Sequence, residues 1–137
     1  SFTGMMRELC RREEKPGVAF IRFKSDGTEV PINEGDQPHL LRIVQELINN
    51  ILKHSNSSFI HLTQNVHADK FYLRIHHDGR GIIQSDFDKL NKSNIGLGLK
   101  NISSRMRLVQ GNINFEKDIS QTYYKVTIEV PKDEPYQ

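Results

Sequence analysis

The sequence predicts an α+β domain in two layers, a mixed and mainly antiparallel sheet with helices on one face. Three observations point there. Strand-like and helix-like segments follow one another as strand, helix, hairpin, helix, hairpin. The long helical segment has a single apolar side and the last strand alternates apolar with polar residues, so each offers one face to a core and one to water. A chain of 137 residues, 36% hydrophobic and 26% charged, is long and apolar enough to close one such core.

Residues 1–15, SFTGMMRELCRREEK, are polar and basic, with Met5, Met6, Leu9 and Cys10 at helix-like intervals. Pro16-Gly17 then stops any helix. So little apolar surface predicts that residues 1–15 are the end of a longer preceding element and that the domain proper is 16–137. Val18 to Lys24 is rich in β-branched and aromatic residues, and Ser25-Asp26-Gly27 is a turn, which predicts a strand and a hairpin. Asp36, Gln37 and Pro38 introduce a helix over about His39 to His54, with Pro near its start. Leu40, Leu41, Val44, Leu47, Ile48, Ile51 and Leu52 recur along it at intervals of three and four, the pattern of a face packed on a sheet.

Phe59 to Gln64 and Phe71 to His76 alternate around 65–70, which predicts a hairpin with Ile60, Leu62, Leu73 and Ile75 inward. HDGRG at 77–81 breaks the second strand. Residues 83–94 are polar and show no clear period. Leu99, Ile102, Met106 and Val109 mark a second helix closed by Gly111. Asn112 to Glu116 and Tyr123 to Val130 form a closing hairpin, with Tyr124, Val126, Ile128 and Val130 on one face.

Composition narrows the function. Nineteen Lys and Arg against 17 Asp and Glu leave a net charge of +2, too balanced for a protein held to nucleic acid by counterion release. No run approaches the roughly 18–20 apolar residues of a membrane span, and no signal-peptide core is present. A lone Cys10 excludes an intramolecular disulfide framework and suits a reducing compartment, so a cytosolic domain is expected.

Three clusters exceed what core packing needs. On the long helix, Glu46, Asn50 and Lys53 fall within roughly 60° of one another, away from the apolar stripe. An acid, an amide and a cation so grouped suit a water, a hard cation and a phosphate; the plainer reading is a solvated helix face. Asp78-Gly79-Arg80-Gly81 follows a strand directly, and its glycines permit close backbone approach to a ligand, or simply a surface turn. Asn94-Ile95-Gly96-Leu97-Gly98-Leu99 leads into a helix whose free N–H groups suit phosphates, or is a flexible loop.

In this order the three clusters resemble a known set. Gln45-Glu46-Leu47-Ile48-Asn49-Asn50-Ile51-Leu52-Lys53-His54 resembles the N box of the GHKL ATPases, HDGRG their first glycine box, and Gly96-Leu97-Gly98-Leu99-Lys100-Asn101-Ile102 their second. The fuller wording, LLRIVQELINNILKHS then GLGLKNISSRM, resembles the catalytic ATP-binding domain of bacterial sensor histidine kinases, NarX/DesK-like or LytS-like, across about residues 16–131.

The resemblance implies the Bergerat ATP-binding fold, with ATP and magnesium as cofactors and a flexible lid over the phosphates. By position, Asn50 would be the magnesium ligand, Glu46 the catalytic acid that orients or activates the attacking group, and Lys53 a phosphate contact. His54 would line the site. His77 and Ile82 would contact nucleotide, Gly79 and Gly81 would let the chain pass beside adenine, and Gly96, Leu97, Gly98 and Leu99 would open the lid onto the phosphates. The γ-phosphate would pass to a histidine on a dimerisation domain, in a homodimer, and then to a response regulator. None of the six histidines lies on a long amphipathic helix ahead of the ATP domain, so the acceptor is expected outside this sequence, with residues 1–15 the tail of its helix. The full-length protein is expected at the bacterial inner membrane, through segments also outside it. A non-catalytic relative, another GHKL ATPase or an anti-sigma-factor kinase are the alternatives.

One position departs. The family's first glycine box opens with an Asp that accepts the adenine amino group, and here the aligned residue is His77. Leu73, Ile75 and His77 share one strand parity whereas Asp78 points the other way, so Asp78 does not slide into the role. Either a neutral His77 accepts the adenine N–H instead, or the contact is lost and the domain acts through protein contacts.

Overall fold

The computed structural model describes residues 1–93, 97–118, 120 and 122–133. The chain opens with α1 (Phe2–Glu13), capped by the Ser1 hydroxyl, which accepts from the Gly4 N–H at 3.1 Å. Then come β1 (Phe20–Ser25), α2 (Gln37–His54), β2 (Phe59–His67), β3 (Lys70–His77), α3 (Gln84–Lys92), α4 (Leu97–Leu108), β4 (Asn112–Asp118) and β5 (Tyr123–Pro131). The five strands form one sheet in the order β1-β2-β3-β5-β4. Only β1–β2 is parallel; the other pairings are antiparallel, which gives the expected mixed sheet.

Four readings change. Residues 1–15 are not short of apolar surface: Phe2, Met6, Leu9 and Cys10 are all buried in the common core, and the Phe2 ring meets Phe71 edge-on at 5.9 Å. Second, β1 does not turn into a hairpin. Its neighbour is β2, reached through α2, with Phe20 opposite Phe59. The Asp26 carboxylate accepts from Val66 N–H at 3.0 Å and Thr28 N–H at 2.9 Å, so the turn after β1 is tied to β2 rather than to a returning strand. Third, residues 84–92 are helical. Phe87 alone of α3 is buried, and it stacks on Phe115 of β4 at 4.5 Å. Fourth, Gln110 (φ 56) rather than Gly111 takes the left-handed position after α4. Gly111 is needed because a Cβ there would come within 2.6 Å of the Glu129 carbonyl oxygen on β5.

The helices cover one face of the sheet. Leu40, Ile43, Val44, Leu47, Ile48 and Ile51 of α2 are buried with Ile60, Leu62, Leu73, Ile75 and Ile128 of the sheet. Leu41 and Leu52 flank that stripe half-buried, and Ile43 joins it. α4 lies beside α2 and buries Leu99, Ile102 and Met106. The C-terminal end of α2, the end of β3 and the start of α4 therefore meet above the middle strands.

Candidate functional site

A cavity of about 360 Å³ opens where these ends meet. Its apolar wall comes from Leu47 and Ile51 of α2, Leu99 of α4, Phe115 of β4 and Val126 of β5. Asn50, His54, His77, Arg80, Gly81, Ile82 and Gly98 complete it with Tyr124, Ser55 and Leu90. A mostly apolar hollow with a few convergent polar groups is the usual form of a small-molecule site.

Of the residues singled out in the sequence, Asn50, His54, His77, Gly81, Ile82, Gly98 and Leu99 line this cavity. Glu46 stands at its edge: a Cβ placed on Gly98 would lie 3.3 Å from Glu46 Oε2 and 3.6 Å from Asn50 Nδ2. The polar edge of α2 and the first turn of α4 thus come together, and Gly98 keeps the space between them open. Arg42, one turn before Glu46, holds its Nε 3.7 Å from Glu46 Oε1. Lys53 is exposed and is not on the cavity wall. Gly96 lies outside the described residues, as does the side chain of Leu97.

Gly79 lies off the cavity and serves the backbone. It has φ +77, and a Cβ there would be 2.2 Å from the Ser55 carbonyl oxygen, which also accepts the Arg80 N–H at 2.7 Å. This pins the chain after β3 to the end of α2. Gly81 faces the Tyr124 ring, where a Cβ would come within 2.3 Å of Cγ.

His77 and Asp78 point to opposite faces, as strand parity requires. His77 is 2% exposed, on the helix side. Its Nδ1 lies 2.8 Å from the Asp78 carbonyl oxygen and 3.2 Å from Ser57 Oγ. Burial pushes the imidazole pKa down from 6.5, against a smaller upward pull from the Asp78 carbonyl, so the ring is neutral at pH 7. The Asp78 carboxylate instead accepts from Ser58 N–H at 2.8 Å, Phe59 N–H at 3.0 Å and the Ser58 hydroxyl. Partial burial raises its pKa, and these bonds outweigh that and lower it overall.

Residues 35–134 match the histidine kinase-, DNA gyrase B- and HSP90-like ATPases. The chain belongs to that family. Among characterised relatives of this ATPase domain, the histidine-protein kinase/phosphatase DegS of Brevibacillus brevis is 30% identical over 74% of the chain, and the sensor histidine kinase ComP of Bacillus subtilis is 26% identical over 93%. The chain spans 25% of the length of the first and 16% of the second. The fold matches that of the histidine kinase AdeS of Acinetobacter baumannii, with a TM-score of 0.75 at 17% identity over 97% of this chain and 64% of that one. The catalytic domain of the histidine kinase ThkA superposes with a TM-score of 0.71 at 17% identity, over 94% of this chain and 92% of that one.

Sequence reasoning missed Ser57, Phe115 and Tyr124, and gave Arg80 of the first glycine cluster no role of its own. Tyr124 carried a signal, since its parity with Val126 and Ile128 sends it inward. Its place opposite His77 comes from the β3–β5 register. Ser57 carried none, because a Ser in a short polar loop after a helix reads as a turn residue.

Proposed function

We propose that this domain binds ATP in the cavity and is the catalytic part of a sensor histidine kinase, transferring the γ-phosphate to a histidine on a dimerisation domain of the same protein. A response regulator is the onward acceptor, and the full-length protein sits at the membrane through other segments. No helix among the described residues is long and apolar enough to cross one. The observation that carries the reading is the convergence of Asn50, Gly98 and His77 on one hollow.

The donors present fit a hard cation: the Asn50 amide on the cavity wall, with the Glu46 carboxylate beside it across Gly98. Magnesium, when bound, supplies charge neutralisation at the phosphates. Asn50 would offer its amide oxygen to that ion. Glu46 would accept a proton from the incoming imidazole at a carboxylate oxygen, and Arg42 restrains its carboxylate from one turn away. Lys53, exposed and next in sequence to His54, would meet phosphate oxygens, and His54 would close the wall. Gly98, with Gly96 and Leu97 before it, would let the backbone N–H groups opening α4 approach the phosphates. Leu99 and Ile82 would cover the base, with Gly81 admitting it and Gly79 holding that loop in place. Positioning and charge neutralisation do most of the work in phosphoryl transfer, so few reactive side chains are required.

Calorimetry with a non-hydrolysable ATP analogue and magnesium tests this. Saturable one-site binding that is lost in Asn50→Ala is expected. No heat, and no rise in Tm at millimolar nucleotide, overturns the reading in favour of a non-catalytic domain, because a bound ligand stabilises by mass action.

A further inference from the structure

Resting on the nucleotide-binding reading, we propose that His77 reads the exocyclic amino group of a 6-aminopurine through the lone pair of Nε2, with the Asp78 backbone carbonyl and Ser57 positioning the imidazole for it. The carbonyl oxygen of Asp78 can only accept. His77 Nδ1 lies 2.8 Å from it, so Nδ1 carries the ring proton. The Ser57 hydroxyl donates to the same oxygen at 2.5 Å, so its hydrogen is committed there and it cannot donate to Nδ1 at 3.2 Å. A neutral imidazole has one N–H. With that proton on Nδ1, Nε2 bears a lone pair.

Among the described residues, both side-chain hydrogen bonds of His77 run through Nδ1. Nε2, across the ring, has no partner among the described residues, and His77 lines the cavity. The Tyr124 ring lies nearly parallel to the imidazole, at 16° and 5.8 Å. Asp78 does not compete for the base, because its carboxylate faces the start of β2.

A lone pair at that point accepts from an amino group and repels an oxo group. To donate to a 6-oxopurine, the ring would have to move its proton to Nε2 and leave two lone pairs facing each other 2.8 Å apart at Asp78. A buried polar group without its partner is what makes such discrimination steep. The site therefore takes adenine and rejects guanine and hypoxanthine by the tautomer of one histidine, with the backbone holding that tautomer.

Two measurements test the proposal. Nitrogen-15 NMR of the histidine side chains at pH 8 needs no nucleotide: His77 is expected with its proton on Nδ1, and a proton on Nε2 overturns the proposal. Calorimetry then compares Mg-ATP, Mg-GTP and the magnesium complex of purine riboside triphosphate, which lacks the 6-amino group. ATP is expected to bind about tenfold more tightly than purine riboside triphosphate, the loss of one well-placed hydrogen bond, and GTP to bind more weakly still. His77→Phe is expected to level ATP with purine riboside triphosphate, and His77→Asp to keep the preference. Equal affinities in the wild-type protein overturn the proposal and leave nucleotide binding intact. If the wild-type protein binds none of the three, the proposal fails together with the nucleotide-binding reading it rests on.

Discussion

The carbonyl oxygen of Ser55 occupies the place where a side chain at Gly79 would start: a Cβ there would be 2.2 Å away, on a residue with φ +77. Both constraints select glycine, one for its backbone freedom and one for its lack of bulk. Gly79→Ala is expected to lower stability by at least about 2 kcal/mol, since a left-handed alanine costs roughly 1 kcal/mol before the clash is relieved. Denaturant titration checks it. A loss below about 1 kcal/mol would mean that the loop after β3 yields easily.

Gly81 makes a different prediction from the same motif. The Tyr124 ring fills the space of its missing side chain, with Cγ 2.3 Å from where a Cβ would stand. A side chain can move where a backbone carbonyl cannot. Gly81→Ala is therefore expected to cost stability mainly by displacing Tyr124, and the double change with Tyr124→Ala to be less than additive by about 1 kcal/mol or more. Strict additivity in a double-mutant cycle would refute the link.

The legible parts of the sequence are those with a strong period or paired glycines. The inward positions of β2, β3 and β5 follow from alternation, and His77 and Asp78 separate by parity alone. The stripe of α2 is visible, although Ile43 escapes notice because Leu40, Val44 and Leu47 already satisfy the three-and-four spacing. α3 is hidden because Phe87 is its single buried residue, so no period exists to detect. The parallel β1–β2 pairing is hidden because the turn after β1 has the composition of a hairpin turn, and only the bond from Val66 to Asp26 shows what it serves. The glycines of the first box are legible as glycines required; that one answers to Ser55 and the other to Tyr124 is set by tertiary contact.

α3 is held through one buried side chain, Phe87, with Leu90 half-buried beside the core. Phe87 stacks on Phe115, and the Gln84 side-chain oxygen accepts the Phe115 N–H at 2.8 Å. Phe87→Ala removes the only buried side chain of that helix. Core Phe→Ala changes cost about 3–5 kcal/mol, but a helix so lightly held can detach first and limit the global loss to the lower end. Hydrogen exchange is expected to show protection lost over 84–92 and retained in β3 and β5. Uniform loss across the sheet would show that α3 unfolds only with the whole domain.

α1 behaves oppositely. Met6 is fully buried, and Cys10 lies beside it with its thiol pKa pushed up to about 12 by burial, with the Glu13 carboxylate adding to the shift. The thiolate is the reactive species, so Cys10 is expected to resist a thiol reagent at pH 8 in the native protein and to react fully in denaturant. Met6→Ala is expected to cost about 2–4 kcal/mol. Rapid labelling of native protein would show that α1 leaves the core readily.

The pH profile of nucleotide affinity follows from His77. Its acceptor exists only on the neutral ring, and burial pushes its pKa below 6.5. The groups around it are the Asp78 carboxylate just past the end of its strand, the His54 and Arg80 side chains and the Tyr124 hydroxyl along the cavity, and Lys117 over the Tyr124 ring. Only Asp78 raises the His77 pKa, and less than burial lowers it. The sign is then fixed. Affinity for Mg-ATP is expected to be level from pH 8 to about pH 6.5, and to fall below that as protonation converts the Nε2 acceptor into a donor facing the amino group. A loss of about tenfold by pH 5 is the scale set by one hydrogen bond. In His77→Gln, which offers an acceptor that does not titrate, the fall attributable to this position is expected to vanish. The same steep fall in that variant would move the titration to another group.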